Sequence, residues 1–569
     1  MHIVEGWSRR SAWVGKALAA GLALAPLGAC AGSGAAQRFS GATEASALSA
    51  FLTARVAAAD QEPIAAVPTF AAALAGAPGS PDLARIALAN ALTAGDFAAA
   101  EAITAAIALP DDPLAQLTRA AGAFAKGRPG AALQHAEGVQ GDAVQRVMAD
   151  LLEIWSLAAM GREADALARV EALEAAVRPS GLSALALDQR GLLLQRLGDF
   201  AAAEEAFAVG DPPLIRTGAV DLARAAGLAR LGRREAATAL LQARLDRAFD
   251  PAVERALQRL RAGKPLTRQA EAGPALAAGV AAFAAALGGD DPGQSYVPFL
   301  TLALGAAPGQ AADLRLTLSD AQRRLNRPRS AEAALAPIRA GSLFWRPAAL
   351  RRAALLLEAG SVEEGLALGR ETAADGSEFA LNGYAELLRQ ALRWAEAEAV
   401  YDRLFALRQP PGWRLHFLRG VVRERQGKWP QAEEDLQHAA ALAPEQADVL
   451  NYLGYGWADR GLRIEEAIAL LERAVRMQPR AAHIQDSLGW AYYKAGRRAE
   501  ARQHLERAVV LDPQDPAAAE HLGDLYRDLN RLAEARRFWR AAIAHAETEQ
   551  DRARVEGKLA LVGATEVSQ

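Results

Sequence analysis

The chain has 569 residues, with 64 Lys and Arg against 67 Asp and Glu, a net charge of −3. So mild a balance offers no basic face for a nucleic-acid partner, and a single cysteine excludes a disulfide framework. Apolar residues make up 51% and aromatics 6%, and the abundant alanine favours helix, for which it has the best intrinsic propensity.

Residues 1–29 read as a secretory signal. Arg9, Arg10 and Lys16 precede the uncharged run Ala17–Leu27, which is too short to span a bilayer, where about 20 apolar residues are needed. The run ends in Leu27-Gly28-Ala29-Cys30, which resembles the lipobox of bacterial lipoproteins. An ordinary signal peptide with an incidental cysteine is the alternative. The resemblance implies cleavage before Cys30, acylation of Cys30 and a membrane anchor through that lipid. Ala31, where retained lipoproteins of enteric bacteria carry Asp, favours the outer membrane. Residues 30–45 form the acylated cysteine and a flexible tether, with an r.m.s. reach of roughly 20 Å as a coil.

From residue 46 to 262 a weak signal recurs: a turn residue, then a small residue five positions on. It occurs at Asp60/Ala65, Gly95/Ala100, Gly127/Ala132, Gly161/Ala166, Gly198/Ala203 and Gly232/Ala237. Residues 263–312 interrupt it and read as an irregular helical joint. They include two uncharged runs, Ala272–Gly289 and Pro292–Ala312. Two other readings are a membrane hairpin, which the prolines and low hydropathy of alanine oppose, and degenerate helix pairs buried in the stack. The signal returns over 313–446, at Asn326/Ala331, Gly360/Gly365, Leu392/Ala397 and Gly427/Ala432.

Over 447–546 the pattern becomes dense. Leu453-Gly454, Leu488-Gly489 and Leu522-Gly523 are followed by Trp457, Tyr492 and Tyr526, then by turns at Gly461, Gly496 and Asn530. Ala467, Ala501 and Ala535 come next, with one extra residue in the first of these units, and Pro444, Pro479 and Pro513 close three consecutive units. This resembles the tetratricopeptide repeat, a helix–turn–helix of 34 residues. The resemblance implies an all-α, right-handed superhelical solenoid of about 13 units, each burying its apolar face on its neighbours. Residues 547–569 follow as a C-terminal helix and tail.

Catalytic patterns are missing: there is no nucleophile elbow, zinc-protease helix, phosphate loop or dinucleotide fingerprint. His483 and His521, with Asp486 and Asp524 each three residues on, make a metal site geometrically conceivable, against a polar solvated groove wall as the plainer reading. No catalytic residue, metal, cofactor or small-molecule substrate is therefore expected. In the family, partner peptides lie against the first helices. That register maps here to Asn451, Tyr452, Tyr455, Asp486, Ser487, Trp490, Tyr493, Glu520, His521 and Asp524. Such a groove is aromatic and acidic and lacks the set that clamps a free carboxylate. For Trp490 and Tyr455, packing between units competes with groove lining, and the convex face remains open as a binding surface.

Lipobox and array together resemble proteobacterial outer-membrane tetratricopeptide lipoproteins. Some of these tether a periplasmic carboxyl-terminal-processing protease and present cell-wall hydrolases to it. The implied function is a non-catalytic adaptor of a Gram-negative bacterium, anchored by lipid in the outer membrane and binding periplasmic or outer-membrane proteins. A scaffold for envelope assembly, secretion or polysaccharide export is the alternative.

Overall fold

The computed structural model describes residues 42–59, 62–209, 217–266, 271–287, 296–407, 409–546 and 548–567. Cys30 and the turn at Asp60 lie outside them. Among the described residues every regular element is helical, and they fall into two compact units that meet in sequence at Leu356 and Leu357. Among the described residues antiparallel helix pairs recur along each unit, from Ala42–Ala59/Pro63–Gly76 in the first to Pro516–Asp528/Leu532–Ala544 in the second, as a repeat solenoid requires.

The turn signal is physical. Each remaining predicted turn residue, from Gly95 (φ 85°) to Asn530 (φ 58°), is left-handed, a conformation that costs glycine and asparagine least. Leu392 adopts it too, at φ 58°. The alanine five positions on, as at Ala100, Ala397 and Ala501, is fully buried where the two helices cross. The extra residue after Gly461 is absorbed by a second left-handed residue, Arg463 (φ 45°), so that the next helix starts at Ile464. Close crossing explains the repeated Leu-Gly: a Cβ on Gly489 would lie 2.7 Å from Leu505 Cγ.

In the first unit the uncharged segment does not serve as a joint. Helix Ala272–Leu287 packs on Ala143–Ala159, Ser183–Arg196 and Gly218–Arg230, and Val297–Ala306 packs on Pro81–Ala94 and Pro113–Ala125. These are the first helices of five successive pairs, so the chain returns along the inner side of its own array. Small residues permit the approach: a Cβ on Gly305 would stand 2.3 Å from the Phe97 ring, and one on Gly279 3.0 Å from the Gln189 amide. Thr301 Oγ1 donates to the Leu92 carbonyl at 2.8 Å, and Gln322 Nε2 to that of Thr93 at 2.7 Å. The return continues to Pro328–Leu335, where Arg329 N and Ser330 Oγ donate to the Glu62 carboxylate at 3.0 and 3.4 Å. Burial against the array is what an uncharged Ala-rich surface demands. No described helix is long and apolar enough to cross a membrane.

The second unit stacks Glu378–Gln390/Trp394–Leu407 and the four pairs after it. Glu549–Val567 ends it, packed on Leu532–Ala544.

Candidate functional site

The first helices Ala447–Asp459, Ala482–Lys494 and Pro516–Asp528 carry the predicted groove residues, and the helical period divides them. Trp457, Tyr492 and Tyr526 point between repeats. Each polar tip donates to a carboxylate on an earlier second helix: Glu433 at 2.7 Å, Glu472 at 2.7 Å and Glu506 at 2.5 Å. Burial and the facing Glu472 push the Tyr492 hydroxyl up to about 12.

Trp490, two residues before Tyr492, takes another face. Its half-buried ring stacks on His521 of the next repeat, centroids 4.1 Å apart and planes 16° apart, and on Tyr493 at 5.0 Å. Tyr455 approaches His521 at 6.4 Å, so one aromatic wall spans three repeats. Carboxylates brace it. Asp459 accepts from Trp490 Nε1 at 3.3 Å, Asp528 accepts from the Tyr493 hydroxyl at 2.6 Å, and Asp486 binds His521 Nδ1 at 2.9 and 3.1 Å. Burial disfavours a charged His521, yet Asp486, with Glu520 and Asp524 behind it, outweighs burial and holds its pKa above the ordinary histidine value. The Tyr455 hydroxyl is raised well above the usual tyrosine range, by burial and then by Asp459, Asp486 and Glu520.

Other predicted residues are not on this wall. Ser487 is fully buried and its hydroxyl donates back to the His483 carbonyl at 2.8 Å. Asn451 is buried, with its side-chain oxygen unpartnered. Tyr452 turns to the preceding repeat, against Phe417 at 5.6 Å, and donates to Glu424 at 3.2 Å. Glu520 and Asp524 are buried beneath the last helix: Lys558 reaches them at 2.7 and 2.5 Å, and Arg554 binds Glu520. These two carboxylates therefore do not face an open groove, because a helix beyond the recognisable repeats neutralises them. His483 faces Asp448 at 3.4 Å, apart from the His521–Asp486 pair. Among the described residues no group of three or more His, Cys, Asp or Glu side chains is placed to hold a metal ion. The sequence reading missed Asp459, Asp528, Arg554 and Lys558. The two aspartates share one place in their repeats, two residues before the turn, and that recurrence was the available signal.

The same register recurs in the first unit, where it is covered. Trp155 lies six residues before its turn at Gly161, as Trp490 does before Gly496; Gln189 lies nine before Gly198, as His521 does before Asn530. Trp155 Nε1 donates to Gln189 Oε1 at 2.8 Å. Trp155 is fully buried, and Gln189 packs on Gly279 of the returning segment.

A recurring solenoid of helix pairs, with a half-buried aromatic wall on its first helices, defines an all-α repeat protein. The sequence profile of the tetratricopeptide repeat matches residues 383–447, 422–482, 458–516 and 487–551, so this stretch carries tetratricopeptide repeats. A TPR repeat-containing protein of Pseudomonas aeruginosa is 33% identical over 165 residues, covering 28% of this chain and 27% of its own length. The chain thus matches about a quarter of that relative. Among solved structures, a thermophilic TPR protein of Thermus thermophilus aligns over 33% of this chain and 98% of its own, at 21% identity and a TM-score of 0.29. A tetratricopeptide repeat protein of Parabacteroides merdae aligns over 45% and 99%, at 15% identity and a TM-score of 0.37.

Proposed function

We propose that this protein is a non-catalytic adaptor, acylated at Cys30, held on the outer membrane facing the periplasm, and that its second unit captures a segment of a partner protein on the Tyr455–His521–Trp490–Tyr493 wall. One observation carries the choice of surface. Trp155–Gln189 is buried beside the chain's own return segment, whereas the Trp490 ring, in the same register of the second unit, is only half-buried. Tyrosine and tryptophan supply large contact area at small entropic cost. The Tyr455 hydroxyl, which has no hydrogen-bond partner among the described residues, is a free polar group beside them. By resemblance, the partner is a carboxyl-terminal-processing protease or the cell-wall hydrolase it cleaves.

The test is site-specific photocrosslinking in cells, with the crosslinker at Tyr455 and at Tyr493, and at exposed Glu235 in the first unit. The reading expects adducts with such a protease or hydrolase from the two wall positions and none from position 235. Adducts only from 235 would move the binding surface off the wall. Adducts with outer-membrane assembly or export components would favour the envelope-assembly alternative.

A further inference from the structure

We infer that the outer face of the first helix, Ala42–Ala59, docks on the lipid surface to which Cys30 tethers the chain. This inference rests on the acylation reading above, but its test does not depend on it. Leu48, Leu52 and Val56 are 41%, 55% and 62% exposed. Their spacing of four puts them on one helical face. The opposite face is the core side: Ala54 is fully buried, and Phe51 meets Phe70 edge-on at 6.3 Å.

End repeats of a solenoid have no further neighbour and need a polar outer surface. The last helix of the chain exposes Gln550 and Glu556 and one large apolar side chain, Leu561. The first helix exposes three, aligned along one face. Ser49, Thr53 and Arg55 flank its aliphatic stripe, and the helix sequence balances one acidic residue, Glu44, against one basic residue, Arg55, so it carries no net charge for an anionic membrane to repel.

The length of chain before the helix identifies the occupant. Only residues 31–41 separate Cys30 from Ala42. A coil of that length has an r.m.s. span of about 18 Å, and fully extended it reaches no more than about 40 Å. A lipid at Cys30 therefore confines the helix next to the bilayer, at an effective concentration in the millimolar range. There three aliphatic side chains, too few to bind a free membrane tightly, suffice to turn the stripe onto the surface.

The experiment uses residues 31–569 with an N-terminal hexahistidine in place of the lipid. The chain is held on phosphatidylethanolamine–phosphatidylglycerol vesicles doped with a nickel-chelating lipid. Without Cys30 the chain has no thiol, so Ser49→Cys gives a single site for an environment-sensitive fluorophore, and Glu235→Cys is the control. The expected result is a blue shift with about a twofold or greater gain in emission at position 49 on tethering. It should be lost in the Leu48→Ser/Val56→Ser variant, whose far-UV dichroism verifies that the helices persist, and absent at 235. No vesicle-dependent change at position 49 in the folded protein overturns the inference. So does a shift that grows with protein concentration without vesicles, which would assign the face to a second copy. Failure of labelled fatty acid to reach Cys30 would sink acylation alone and leave this assay to decide the helix.

Discussion

Trp155 and Trp490 occupy the same place in two repeats and meet opposite fates. Each ring contacts the residue that lies nine positions before the turn of the following repeat, Gln189 for Trp155 and His521 for Trp490. Trp155 is fully buried on a helix that the return segment packs against, while Trp490 is only half-buried. The first array supplies its own occupant; the proposed function assigns the equivalent place in the second array to a partner.

Binding and stability should therefore separate along one helix. Trp490→Ala should weaken capture of the crosslinked partner by ~2 kcal/mol or more, as aromatic hot spots do. Its stability cost should be about 1 kcal/mol, the loss of its stacks on His521 and Tyr493. Tyr492→Ala removes a buried ring bonded to Glu472 and should cost about 3 kcal/mol. Tyr455→Ala should resemble Trp490→Ala. Urea melts and titrations of the three variants decide; Trp490→Ala melting like Tyr492→Ala with binding intact would make the wall core.

The helix crossing sets a second outcome. Ala501 has no exposed surface, and the facing Gly489 would bring a Cβ to 2.9 Å from the Leu505 backbone nitrogen. Ala501→Leu or Gly489→Ala should cost ~1–3 kcal/mol by overpacking. Because solenoid repeats couple to nearest neighbours, hydrogen exchange should quicken over roughly 447–544 and hold over 81–230. Uniform loss of protection would contradict the repeat architecture.

The His521–Asp486 pair makes stability pH-dependent. Asp486 faces the imidazole across the repeat boundary, Glu520 and Asp524 share its helix, Tyr455 closes the other side, and Arg554 and Lys558 of the last helix bind the two acids behind. The folded-state pKa of His521 is raised, so the folded protein holds the proton more tightly than the unfolded chain. The resulting stabilisation is fully present below about pH 6.5, the unfolded value, and is lost as pH rises through the folded value. Denaturation midpoints across pH 5.5–9 should fall along this limb in the wild type. They should flatten in His521→Gln, which keeps a polar side chain but cannot charge; an identical slope in both would remove His521 as the source.

Which parts of this could be read from sequence follows from how local each cause is. A left-handed turn and a crossing that admits only a small side chain act on one residue each, so Gly95/Ala100 and Asn530/Ala535 mark their turns even where the rest of the repeat has drifted. The face of Trp490 follows from helical periodicity once the register is fixed. The two uncharged runs, 272–289 and 292–312, announce burial but not a destination: composition cannot tell a joint from a segment that returns across five repeats, because that depends on pairings such as Thr301 to Leu92, 209 residues apart in the chain. Glu520 and Asp524 look like groove acids until a helix outside the repeat pattern places Arg554 and Lys558 over them.

The return segment itself gives the last prediction. Gly305 lies against Phe97, where a Cβ would stand 2.3 Å from the ring. Gly305→Ala must push Phe97 or the helix Val297–Ala306 aside, at ~1–3 kcal/mol, and Gly305→Leu should dislodge the helix. The inner helices it covers, Pro81–Ala94 and Pro113–Ala125, should then lose protection in hydrogen exchange together with 272–306. If the two uncharged helices come away as one, Ala143–Ala159 should open too and uncover Trp155, raising the susceptibility of that region to limited proteolysis. Helices 447–544 should keep their wild-type exchange. Unchanged protection over 81–159 in Gly305→Leu would mean that the segment is not a structural occupant of the first array, and the contrast between Trp155 and Trp490 would lose its cause.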